Sequence, residues 1–136
     1  MLHGTAGDEN DLFPLARMLD PVAGVLSPRG QVLERDMPRF FRRLAEGVYD
    51  VEDLVARAHG LADFIGAAAA RYGFDPGRVV AAGFSNGANI ATATLLLRPK
   101  ALHSAILLHP MMPVDLEASG SLSDVRVFIA GGRFDQ

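Results

Sequence analysis

Arg78-Val-Val-Ala-Ala-Gly-Phe-Ser-Asn-Gly-Ala-Asn-Ile-Ala91 is the stretch that decides the fold. It opens with a β-branched and small apolar run, Val79 to Ala82, turns sharply through Gly83-Phe84-Ser85-Asn86-Gly87, and continues as a helix-competent apolar run from Ala88 to Leu97. Strand, tight turn and helix are the context that Gly-x-Ser-x-Gly requires to serve as a nucleophile elbow. In such an elbow the serine holds a strained backbone conformation that costs about 1–3 kcal/mol. Gly83 and Gly87 lack a Cβ, so strand and helix can approach closely enough to push the Ser85 hydroxyl out at the tip of a sheet. The helix also brings free N–H groups and a positive dipole end to the place where an oxyanion would form. The plainer alternative for these residues is an ordinary strand-to-helix turn.

Working back from the elbow, Val51 to Tyr72 carries one apolar stripe, Val51, Leu54, Val55, Ala58, Ala62, Ile65 and Ala69, which predicts a helix ended by Gly73. Asp75-Pro-Gly77 then turns into the elbow strand. Gln31 to Asp50 interleaves Arg35, Arg39, Arg42 and Arg43 with Met37, Phe40, Phe41 and Tyr49. It reads as an irregular excursion with one helical turn around Phe40 to Ala45, serving either as a solvated basic loop or as a wall of the substrate pocket. Val22 to Leu26 is a short strand candidate, and Ser27-Pro-Arg-Gly30 is a turn. At the start of the chain, the His3-to-Asp11 loop leads to a helix at about Asn10 to Leu19, with Leu12, Leu15, Ala16 and Leu19 on its buried face.

Downstream of the elbow, Arg98-Pro-Lys100 stops the helix, Ala105 to Leu108 is a strand, and Pro110 to Val114 begins a loop. Asp115 to Asp124 is polar and linker-like, Val125 to Ala130 is a buried strand, and Gly131-Gly-Arg-Phe-Asp135 is the loop at its carboxyl end. Strands alternate with helices, so the strands are expected to run parallel, with helices on both faces of the sheet. Ligands of such sheets bind outside the carboxyl ends of the strands, where the loops holding Ser85, His109, Asp135 and Thr5 would meet.

Composition narrows the class. The 136 residues are 49% hydrophobic and 21% charged, as expected for one globular domain spanning residues 1–136. A net charge of −3 without a basic tract argues against nucleic acid as the main partner. With no cysteine there is no disulfide, thiolate metal site or cysteine nucleophile. No apolar run approaches the length of a membrane span, and a cytoplasmic location is the expectation.

A serine acyl-transfer site needs a nucleophile, a base, a group that orients the base, and N–H donors for the oxyanion. Ser85 supplies the first, and Asp135 is placed to orient a histidine. The backbone N–H groups of Asn86 and Thr5 are the candidate donors. The ordered set His3-Gly-Thr-Ala-Gly-Asp-Glu9, Ser27-Pro-Arg-Gly30, Gly83-Phe-Ser-Asn-Gly87 and Gly131-Gly-Arg-Phe-Asp135 resembles the phospholipase/carboxylesterase family of α/β-hydrolases, which includes the acyl-protein thioesterases. The resemblance runs along nearly the whole chain. It implies an α/β-hydrolase fold with Ser85 as nucleophile, Asp135 as acid and Thr5 and Asn86 as oxyanion donors. His3, with Gly4, would hold the oxyanion loop. It also implies hydrolysis of carboxylic esters or thioesters without a cofactor or metal, on a small-molecule acyl substrate. The family's members are often dimers, which makes a homodimer one expectation.

The chain departs from the family in one respect. The family order is Ser, Asp, His, so the histidine should follow Asp135, and the sequence ends at Gln136. His59 and His103 read as surface residues, and His109 precedes the acid. The expected strands before residue 3 are also missing, so the chain reads as the middle of a longer hydrolase, incomplete in its first strands and in its C-terminal strand and helix. Taken alone it should be nearly inactive, with exposed sheet edges. Three other readings stand beside this one. A non-catalytic α/β-hydrolase-fold module binding an acyl ligand or a partner would account for the absent base. A dienelactone hydrolase would want cysteine at the nucleophile position. A metal hydrolase would need a histidine cluster that the scattered histidines do not form.

Overall fold

The computed structural model describes residues 1–111 and 115–132. Three parallel strands form the sheet in the order β5 (Val80–Phe84), β6 (Ser104–Leu108) and β7 (Arg126–Ala130), with Val80 opposite Ser104 and Ser104 opposite Arg126. On the free side of β5, Leu2 forms a parallel bridge to Gly83. Its N–H donates to Ala82 O at 2.8 Å, and its carbonyl accepts from Phe84 N at 3.0 Å. The loop that starts at His3 therefore hangs from the sheet directly beside the elbow strand.

Helix α2 (Val51–Tyr72) has the predicted bounds because both ends are specified locally. Asp50 caps it by accepting from Asp53 N, and Gly73 closes it at φ 72°, where a Cβ would be strained. Leu54, Ala58, Ala62, Ile65 and Ala69 are buried as the stripe predicts, whereas Val51 at the first turn is 40% exposed. Helix α3 (Asn86–Leu97) begins two residues earlier than expected, immediately after Ser85, and lies against β5 and β6. Helix α2 packs on α3. Ile90, Ala91 and Leu95 of α3 share one core with Leu54 and Ala58 of α2 and with Ala81, Ala105 and Leu107 of the sheet. The polar 115–124 segment docks on the far end of α3, where Ser119 covers its last carbonyls: N to Leu96 O at 2.8 Å and Oγ to Leu97 O at 2.8 Å.

Several expectations are corrected. Val22 to Leu26 is not a strand. Its carbonyl at Leu26 takes one bond from Met1 N, no ladder forms, and Val22 is 90% exposed. Helix α1 is shorter than predicted (Phe13–Leu19), because Asp8 and Asp11 hold residues 8–11 in side-chain-bonded turns, and Leu19 faces outward. The 31–50 region has no helical turn. It forms two antiparallel hairpins, β1 (Val32–Glu34) with β2 (Met37–Arg39) and β3 (Arg43–Ala45) with β4 (Val48–Tyr49). Strand β7 starts at Arg126 and is not buried. Phe128 and Ile129 are 60% and 64% exposed, because among the described residues β6 is the element packed against it.

Candidate active site

The elbow has the geometry that its glycines permit. Ser85 takes φ 50° and ψ −112° between the end of β5 and the first residue of α3, a region that L residues rarely adopt. Its backbone N–H is tied to Leu108 O at 2.8 Å, and its carbonyl accepts the first intrahelical bond, from Asn89 N at 2.9 Å. A Cβ on Gly83 would stand 2.5 Å from the Gly87 carbonyl oxygen and 2.7 Å from Ala88 N. A Cβ on Gly87 would collide with the Leu2 carbonyl and lie 2.5 Å from His3 O. Strand β5, helix α3 and the His3 loop thus converge on the turn at distances only glycine allows.

The His3 loop is held from three sides. His3 is buried, its Nε2 accepts from Gly30 N at 2.9 Å, and its Nδ1 lies 2.6 Å from Gly4 O. An N–H can only donate, so Nε2 is the acceptor and Nδ1 carries the proton. That neutral tautomer fastens the loop to the Ser27–Gly30 turn and leaves no lone pair for general-base work. Gly4 sits under the Phe84 ring, 2.8 Å from where its Cβ would be, and its carbonyl also takes Gly7 N at 3.1 Å. Ala6, at φ 68°, donates to Pro38 O at 3.0 Å, and Thr5 Oγ1 accepts from Arg39 Nη1 at 2.8 Å. Among the described residues, the backbone N–H groups of Thr5 and Asn86 have no acceptor. That of Asn86 is the first of α3 and has no place in the helix ladder.

Several polar side chains whose supporting contacts were not read from the sequence hold this region. Asn86 is 2% exposed, and its Oδ1 accepts from Phe40 N at 2.7 Å. Its Nδ2 is buried without a partner among the described residues. One turn on, Asn89 donates to Tyr49 Oη at 3.2 Å and accepts from Met111 N at 2.8 Å, tying the loop after β6 to hairpin β3–β4. Burial pushes the Tyr49 phenol up from its ordinary value, so it stays protonated at neutral pH. Arg39 is 4% exposed, and its guanidinium meets Thr5 Oγ1, Phe41 O at 3.3 Å and Glu34 at 3.4 Å. Burial draws its pKa below the ordinary arginine value, yet an arginine stays charged. The only sequence signal for these residues was a polar residue on an otherwise apolar helix or an arginine beside aromatics, patterns that more often mark surface.

The basic character of the hairpins is neutralised within them. Arg43 lies 2.8 Å from Glu34 and Arg42 lies 2.8 Å from Asp50, so these cations pair with carboxylates of the chain itself. Phe40 and Phe41, candidates for an acyl-pocket wall, are 7% and 0% exposed and belong to the core, whereas Met111 is 45% exposed. Two surface concavities lie away from Ser85. One of about 530 Å³ runs between α2 and the Pro28–Gln31 segment, and one of about 890 Å³ lies at the amino ends of the strands.

His109 comes to the same sheet edge as Ser85. It follows β6 at φ 49°, its N–H donates to Ala130 O at 2.6 Å, and its ring lies edge-on to Phe84 with centroids 5.5 Å apart. His59 is half-buried on α2, and His103 is exposed before β6, its N–H on Val79 O at 2.8 Å. Asp135 lies outside the described residues. Among the described residues no group of three or more His, Cys, Asp or Glu could hold a metal ion, and no helix is long and apolar enough to cross a membrane.

No family model matches the chain. It is 50% identical over 135 residues to a Bacillus subtilis (strain 168) protein named "Putative hydrolase MhqD", covering 99% of this chain and 68% of that protein. Among solved structures it superimposes on the Bacillus cereus carboxylesterase with a TM-score of 0.94 at 52% identity, covering 97% of this chain and 62% of that one. It also matches the carboxylesterase from Mesorhizobium loti with a TM-score of 0.89 at 34% identity, covering 94% and 61%. The chain therefore spans roughly two-thirds of the length of these relatives. An elbow serine on a parallel sheet, a glycine-rich loop hung beside it, and half-identical relatives named hydrolase and carboxylesterase lead to one assignment: the chain belongs to the phospholipase/carboxylesterase family of α/β-hydrolases.

Proposed function

We propose that the whole protein carrying this chain is a serine hydrolase of carboxylic esters or thioesters. The observation that carries the reading is Ser85, held at φ 50° between β5 and the N–H end of α3, with a Thr5 N–H on the adjoining loop that has no acceptor among the described residues. In the reaction, Ser85 Oγ attacks the acyl carbonyl carbon and its proton passes to a base. The carbonyl oxygen becomes an oxyanion that the N–H groups of Thr5 and Asn86 stabilise. Collapse breaks the bond to the leaving oxygen or sulfur, which departs as the alcohol or thiol after taking the proton from the base. Water then attacks the acyl-enzyme through the same intermediate and releases the acid.

His3 does not serve as the base, because its Nε2 is occupied by Gly30 N–H. The family order assigns the base to a histidine beyond Asp135, with Asp135 orienting it. A cytoplasmic location, a homodimer, and a mechanism without cofactor or metal belong to the same reading. The test is hydrolysis of short p-nitrophenyl esters by the whole protein and by its Ser85→Ala variant. A loss of about 10⁴-fold or more in kcat supports the reading, and an unchanged rate removes it.

A further inference from the structure

Both backbone N–H groups assigned to the oxyanion come from elements that end on the same three residues. Pro38 O accepts Ala6 N–H at 3.0 Å, Arg39 Nη1 donates to Thr5 Oγ1 at 2.8 Å, and Phe40 N donates to Asn86 Oδ1 at 2.7 Å. The Phe40 ring also lies 4.7 Å from that of His3, and Gly30, the residue that fastens His3, could not carry a Cβ against the Arg39 and Phe40 backbone. Pro38–Phe40 therefore touches the Thr5 half of the site on one side and the Asn86 half on the other. The separations in sequence, 34 residues from Thr5 to Arg39 and 46 from Phe40 to Asn86, mean that no local rule sets this spacing.

We infer that Pro38–Phe40 is a common anchor that fixes the distance between the two oxyanion donors, and that Arg39 is a positioning residue acting through Thr5 Oγ1. The inference rests on the serine-hydrolase reading above. Arg39 suits this task because its fork is satisfied elsewhere: Nε faces Phe41 O and Glu34, so Nη1 is held in one direction. A neutral residue here would remove the donor to Thr5 Oγ1, while Glu34 would keep its pair with Arg43.

The test uses Thr5→Val, which keeps the backbone N–H but removes the acceptor for Arg39. Thr5→Ser restores that acceptor, and Arg39→Lys keeps a cation without the fork. p-Nitrophenyl butyrate is the probe substrate and the whole protein is the sample. Thr5→Val and Arg39→Lys are each expected to lower kcat about 10-fold with KM changed less than about 2-fold, a fraction of what losing a donor outright costs. Thr5→Ser, which restores the acceptor, should recover most of the kcat lost in Thr5→Val, and the double variant Thr5→Val/Arg39→Lys should be no slower than Thr5→Val alone. The inference is overturned by a folded Thr5→Val protein with unchanged kcat, by effects confined to KM, or by losses that multiply in the double variant. Should Arg39→Lys not fold, the Thr5→Val and Thr5→Ser pair decides by itself. Ser85→Ala assayed beside them separates the two levels. If it is inert while Thr5→Val is fully active, the anchor falls and the serine reading stands; if it is as active as the parent, the serine reading falls.

Discussion

Gly87→Ala should damage the protein in two measurable ways at once. The added methyl would run into the Leu2 carbonyl and lie 2.5 Å from the His3 carbonyl oxygen. Both obstacles are backbone. Leu2 is fixed to β5 by bonds of 2.8 and 3.0 Å, and His3 by its bond of 2.9 Å to Gly30, so neither can yield by a side-chain rotation. Relief of about 1 Å has to come from moving the His3–Gly7 loop away from α3. Overpacking of this kind costs about 1–3 kcal/mol, which for a protein of the relatives' size lowers Tm by about 2–12 °C. Because the moving loop carries Thr5, a shift of that size should also reduce kcat by about 10- to 100-fold. The control is Gly66→Ala in α2, where an added Cβ meets nothing within 4 Å. There the helix gains about 0.5–1 kcal/mol, and activity should not change. Scanning fluorimetry and p-nitrophenyl ester kinetics on the two variants read all four quantities. A Gly87→Ala protein with parental Tm and kcat, or a Gly66→Ala protein as damaged as Gly87→Ala, would refute the close-approach argument.

Other outcomes follow from the polar framework. Asn89→Leu removes the donor to Tyr49 Oη, which keeps its bond to Met111 Sδ, and the acceptor of Met111 N, and should cost about 1–3 kcal/mol in urea unfolding, whereas Asn89→Asp, which keeps the acceptor for Met111 N, should cost less. Glu34 has its carboxyl held below its ordinary value of 4.5, first by the hydrogen bond from Arg43 and then by the nearby guanidinium charges. A depressed carboxylate contributes stability that is complete above its unfolded value and is lost as pH falls through the folded one. The stability gap between the parent and Glu34→Gln should therefore be widest above about pH 4.5 and close on further acidification, as followed by urea midpoints across that range. A gap independent of pH would mean that the Glu34 carboxylate charge does not contribute.

The parts of the fold that the sequence predicted well were those whose signals are local. Helix α2 carries its period, its Asp50 cap and its Gly73 stop within one window, and the elbow announces itself through Gly83 and Gly87. The hairpins between residues 31 and 50 escaped because their signals are atypical. The turn from Glu34 to Met37 places Arg35 and Asp36 at φ 50° and 66°, where Asn-Gly or Gly is usual, and β2 has a proline at its centre. With strands of only two or three residues, no alternation could build up. Strand β7 was predicted as buried because Val-Phe-Ile reads so, yet its burial depends on neighbours that the sequence pattern does not specify. At the site, Ser85, Asn86 and Thr5 were legible as backbone positions in a motif. The arginine that holds Thr5 was not, since an Arg 34 residues away in a charged stretch looks the same whether it is solvated or buried.

The most direct test of the account is covalent trapping. The whole protein is treated with a fluorophosphonate, and the adduct is located by peptide mass spectrometry. The serine-elbow reading predicts one stoichiometric adduct on the peptide containing Ser85, loss of ester hydrolysis in step with labelling, and no adduct in Ser85→Ala. Labelling elsewhere with Ser85 unmodified, or full hydrolytic activity in Ser85→Ala, would contradict it.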